Sequence, residues 1–155
     1  MKSLKVLIPV ATLIAALFTG STAFAHSDEY LDTQKTPNGG QLRMAGVYHF
    51  ELIVAKDSKE AKDNPVMVYV TDHVGTKIPT AGATGSVTLL GGKTKSSVTL
   101  APDGDNRLKG TGKYLSTPDL KAVVSITLAG KGAEQARFTP LAMPMPHDGH
   151  MDHQH

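Results

Sequence analysis

The 155-residue chain contains no cysteine and no tryptophan. Without a thiol there is no disulfide, no thiolate nucleophile or metal ligand, and no lipidated leader. The fold must hold by burial alone, and any metal chemistry falls to His, Met, Asp and Glu. Aromatic residues make up only 5% of the sequence, so the core has to be built from Val, Leu and Ile. A charge of one sign is lacking too. The formal net charge of +2 is carried by Lys2 and Lys5, and without them 14 acidic side chains face an equal number of basic ones. Such a balance, with no basic stripe, argues against a nucleic-acid partner. Catalytic signatures are also missing. No Gly-x-Ser-x-Gly elbow occurs, and Gly91-Gly92-Lys93-Thr94 lacks the first glycine and the following helix of a phosphate loop. These absences favour a non-enzymatic protein.

What is present begins with a leader. Lys2 and Lys5 precede an apolar run over residues 6–18, and Ala23-Phe24-Ala25 follows a stretch of small and polar residues. A basic start, a short apolar run and an Ala-x-Ala site describe a secretory signal peptide. The run is shorter than the roughly 20 residues of a membrane span, and Pro9 interrupts it. The expected cleavage after Ala25 makes His26 the first mature residue, places the protein in the periplasm and leaves no membrane span after processing. The remaining residues, 26–155, have the size of one domain.

Residues 26–38 are polar and read as an extended lead-in. Residues 39–139 alternate as strands do. In 47–54, Tyr48, Phe50, Leu52 and Val54 share one face and His49, Glu51 and Ile53 the other. Further strands are expected over 66–70, 86–90, 94–100, 122–128 and 135–138. Gly91-Gly92 forms a hairpin signal between two of them, and 56–64 a solvated connection. About seven short strands at this spacing predict an all-β, two-sheet antiparallel sandwich, immunoglobulin-like or transthyretin-like, with a small Greek-key barrel as the alternative. After Thr139 come three prolines in seven residues and then a His-rich end, so 140–155 is expected to be a disordered tail.

Three groups of residues carry metal-binding chemistry. In the tail, His147, His150, His153 and His155 stand with Met143, Met145 and Met151, and with Asp148 and Asp152. Imidazole suits copper, nickel and zinc, and thioether selects Cu(I) and Ag(I). The plainer reading is a solvated polar terminus. His26, once at the mature N-terminus, offers its α-amine and Nδ1 as one chelate that favours Cu(II). The third group is the His49-x-Glu51 pair, which the strand period puts on one face. His73 or Asp72 can join it if the two strands are neighbours. Against this stands a sheet surface that merely carries a His and a Glu, with Asp72 as a turn former. Copper in either oxidation state is therefore the expected ion, with silver, zinc, nickel or cobalt also admitted.

The segments Gly39-Gly40-Gln41-Leu42, Ala45-Gly46-Val47-Tyr48-His49-Phe50-Glu51-Leu52 and Val68-Tyr69-Val70-Thr71-Asp72-His73-Val74-Gly75, with Gly82-Ala83-Thr84-Gly85 and the closing Lys121-Ala122-Val123-Val124 and Ala136-Arg137-Phe138, carry a resemblance. Over about residues 39–138 the chain resembles a small β domain found in, or beside, periplasmic adaptor subunits of copper/silver and cobalt-zinc-cadmium efflux pumps. In such domains the double glycine is often preceded by His, where this chain has Asn38; the Tyr-His-x-Glu element is kept as Tyr48, His49 and Glu51. The chain has no hairpin helices or lipoyl-like part, so the resemblance implies a standalone relative: a metal buffer, carrier or accessory of heavy-metal resistance with an efflux complex as partner. The other functions left open are a non-metal envelope interaction module and a copper enzyme dependent on His26.

Overall fold

A computed structural model describes residues 26–143. The expected signal peptide (1–25) and the tail beyond Met143 lie outside the described residues.

The alternating segments become eight antiparallel strands: β1 (Gln41–Ala45), β2 (Tyr48–Val54), β3 (Lys62–Thr71), β4 (Thr84–Gly91), β5 (Thr94–Pro102), β6 (Arg107–Tyr114), β7 (Lys121–Thr127) and β8 (Ala133–Phe138), preceded by one helical turn and a half, α1 (Asp28–Thr33). They form one sheet in the order β1-β2-β3-β6-β5-β4-β7-β8. The two end strands, β1 and β8, lie against each other, so the sheet is nearly closed into a barrel. The all-β class is as expected, but the two-sheet sandwich of seven strands is not what forms.

The reason lies at one corner. β5 pairs with β4 along its length, but with β6 only through Ala101↔Lys109 and Pro102↔Leu108. This short join keeps the sheet continuous where a sandwich would break. Across the bend Gly110 lets β6 pass over β5, since a Cβ there would stand 2.6 Å from Val98 Cγ1. Glycine inside a strand marks such a close backbone approach at a barrel corner. The inward positions of all the strands meet in one core. Phe50, Leu52, Val66, Val68, Val87, Leu89, Leu108, Val124 and Ile126 are fully buried in it. Tyr114 crosses that core edge, its hydroxyl accepting from the Ala55 amide and donating to the Pro65 carbonyl.

Three local expectations change. β3 starts at Lys62, so the end of the polar 56–64 connection is strand. The turn between β4 and β5 is Gly92-Lys93, one residue later than the double glycine, with Gly92 at φ 55°. The lead-in is not extended throughout: Ser27 caps α1 by accepting from the Tyr30 amide, and Asp28 and Glu29 suit the positive end of the first turn. Among the described residues no helix is long and apolar enough to cross a membrane.

Candidate metal centre

Leu31, the one buried residue of α1, anchors the lead-in. Beside it the buried Arg43 of β1 grips Asp32 with a two-pronged contact, Nη1 to Oδ1 at 2.7 Å and Nη2 to Oδ2 at 3.1 Å. Arg43 also lies 3.5 Å from Asp28. The hydrogen bond from Arg43 holds the Asp32 carboxyl below its usual pKa. This clamp brings the lead-in back onto the sheet and sets His26 beside His49 of β2.

Glu51 fixes the other end of the lead-in. It is buried, and its Oε1 accepts from the Asn38 amide at 3.0 Å and the Gly40 amide at 2.9 Å. Its Oε2 accepts from the Asn38 side chain at 2.9 Å. Gly40 is compelled here, because a Cβ would stand 2.5 Å from the Leu52 carbonyl oxygen. The same residue that alternation pairs with His49 thus spends both carboxylate oxygens on the loop.

His49 lies at the centre. β2 and β3 are neighbours, with His49 opposite Thr71, so the turn after β3 hangs beside it. Asp72 builds that turn, its Oδ1 accepting from Val74 and Thr76 amides at 2.9 and 2.8 Å. These backbone bonds, that from Thr76 foremost, hold its carboxyl below the normal range. The turn aims His73 at His49, with ring centroids 4.9 Å apart, and His26 completes a triangle at 5.9 Å from His49 and 6.3 Å from His73. Tyr30 stacks on His26 at 5.2 Å. One ring nitrogen from each of His26, His49 and His73 lies within 4.8 Å of the other two.

His49 is 6% exposed, and its Nε2 has no hydrogen-bond partner among the described residues. Burial pushes its pKa down, helped by the neighbouring His73 and His26 and opposed by Asp72. Each of these lowering influences favours the neutral ring, the form that ligates. A tetrahedral ion with bonds of about 2.0–2.1 Å needs donors about 3.4 Å apart. The exposed His26 and His73 side chains have room to close that distance. The three line a cleft of about 640 Å³ with Tyr69, Lys35 and Lys77.

The sequence-derived residues therefore divide. His26, His49 and the suggested partner His73 come together; Glu51 adjoins them but is engaged by Asn38 and Gly40. Met143 is exposed, and the remaining tail ligands, Met145, His147, His150, Met151, His153 and His155, lie outside the described residues. The meeting of His26 with His49 had no direct signal in the sequence, because it depends on a fold-back held by Arg43 and Leu31. Comparison of the chain with protein-family models, curated proteins and solved structures finds no match.

Proposed function

We propose that this is an exported periplasmic metal-binding protein, with copper as its first ion, acting as a buffer, carrier or accessory of heavy-metal resistance. The observation that carries this reading is the meeting of three imidazoles, one of which, His49, has a buried Nε2 without a hydrogen-bond partner among the described residues. A buried polar nitrogen without a partner is costly, and a bound ion removes that cost. Three histidines from the lead-in, a strand and a turn need a reason to share one cleft, and neutral imidazole suits copper, zinc and nickel. The leader adds a periplasmic setting, and the His- and Met-rich tail adds a second, looser set of ligands for gathering the same ions. Cleavage before His26 would add an α-amine at the same place. An efflux complex is the partner that the adaptor-like sequence resemblance suggests.

Titration of protein beginning at His26 with Cu(I), Cu(II), Ag(I) and Zn(II), followed by native mass spectrometry, tests the reading. Removing residues 144–155 should leave one ion per chain, and His73→Ala in that background should abolish it. His73 is exposed, so the change leaves the core intact. Retention of the ion by the truncated His73→Ala protein, or its complete loss on truncation alone, overturns the assignment to the cleft.

A further inference from the structure

We infer that the thioether of Met44 is a fourth donor to the histidine centre, and that the centre consequently selects a soft monovalent ion, Cu(I) or Ag(I), over Zn(II). This inference rests on the metal-binding reading above and specifies its ion.

Met44 is the cross-strand partner of His49 in the β1–β2 ladder. Residues directly opposite in an antiparallel pair project from the same face, with Cβ atoms about 4.5–5.5 Å apart. The sulfur is tied to the second member of the centre as well, since the His26 backbone N–H donates to Met44 Sδ at 3.2 Å. Met44 thus touches the residue that supplies one imidazole and stands opposite the residue that supplies another. It is half-buried, neither lost in the core nor free in solvent.

The surrounding charges point the same way. Two carboxylates near the centre are drawn on by other donors: Asp72 gives Oδ1 to the amides of its own turn, and Glu51 gives both oxygens to Asn38 and Gly40. The donors assigned to the ion are three imidazoles, which ligate in their uncharged form, and a neutral thioether. The cost of removing an ion from water rises with the square of its charge, so a partly buried neutral donor set holds a monovalent ion at far less cost than a divalent one. Thioether sulfur adds affinity for Cu(I) and Ag(I) and little for Zn(II). The competing view is that Met44 only fills a gap, as flexible methionines often do.

The test uses protein from His26 to His155 with methionine methyl groups labelled with carbon-13, titrated with Ag(I) or Zn(II) and read by NMR at the Met44 methyl and His49 ring. Ag(I) should shift both signals, whereas Zn(II) should shift the His49 ring and leave the Met44 methyl in place. Met44→Leu, a swap of similar volume, should weaken Ag(I) binding at His49 roughly tenfold or more and change Zn(II) binding by less than about twofold. If neither ion moves the His49 ring, the metal-binding reading itself fails. If both ions move it while the Met44 methyl stays still under Ag(I), or if the leucine variant loses both ions equally, the centre stands but Met44 is packing and the selectivity claim falls. Should the leucine variant fold poorly, the methyl shift in the unmodified chain decides the matter alone.

Discussion

Glu51→Ala should destabilise the protein and unseat the metal centre together. The buried carboxylate receives three hydrogen bonds, two from backbone amides and one from the Asn38 side chain. Removing it orphans the Asn38 and Gly40 amides, each costing about 1–3 kcal/mol when cut off from water, while the side-chain amide of Asn38 turns to solvent. Asn38 is exposed and Gly40 half-buried, so partial hydration takes the sum toward the lower end, and a loss of about 2–4 kcal/mol is expected. Glu51→Gln separates shape from charge. One amide oxygen can serve both backbone donors, and a flipped Asn38 side chain can meet the new NH2 group. Its cost should be only about 1 kcal/mol, the charge assistance of the original bonds. Urea denaturation of the metal-free protein reads both, as a lower midpoint at unchanged slope. Ag(I) titration should show a weaker centre in the alanine variant and near-normal binding in the glutamine variant. A glutamine variant that keeps its stability but loses the ion would refute this reasoning, since that pattern belongs to a carboxylate ligand.

Four further outcomes follow from the geometry. Gly40→Ala forces a methyl group against the Leu52 carbonyl and the Ile53 and Glu51 side chains, and should cost about 1–3 kcal/mol in urea denaturation while weakening metal uptake. Tyr114→Phe leaves the Ala55 amide and the Pro65 carbonyl without their shared hydroxyl and should cost about 1–3 kcal/mol at unchanged fold by circular dichroism. Asp32 has a lowered pKa in the fold, so its contribution is present above its unfolded value of about 3.9 and fades as pH falls through that value and the folded one. The stability gap between the wild type and Asp32→Asn, followed by thermal melts, should therefore narrow below about pH 4, and only modestly, because the pair is partly exposed. Deleting residues 147–155 should reduce the number of ions bound by mass spectrometry yet leave the unfolding free energy of the metal-free protein within about 0.5 kcal/mol of the parent.

Alternation along β2 was enough to sort Phe50 and Leu52 into the core and His49 and Glu51 onto the opposite face, because the strand period fixes sides. It says nothing of where one sheet ends, which is why the barrel reads as a sandwich: the deciding feature is the two-pair join of β5 to β6 and the bare backbone of Gly110. β6 itself, with Gly110 and Gly112 among its lysines, has too little apolar content to announce a strand. The site was legible in pieces. His49 and His73 sit near enough in sequence terms for neighbouring strands to join them, whereas His26 arrives through a tertiary clamp on Asp32 that no local pattern encodes. Glu51 looked like a ligand by spacing alone; the donors that occupy it, Asn38 and Gly40, lie in a loop whose course follows only from the folded chain. Met44 carried no signal at all until the register of β1 on β2 set it opposite His49.

The central claim is that one ion sits among His26, His49 and His73. Crystals of the chain from His26, grown with one equivalent of copper under reducing conditions and measured at the copper absorption edge, test it most directly. A single anomalous peak within bonding distance, about 2.0–2.3 Å, of nitrogens from all three rings is the predicted result. A peak held by tail residues with the three rings left empty would contradict it.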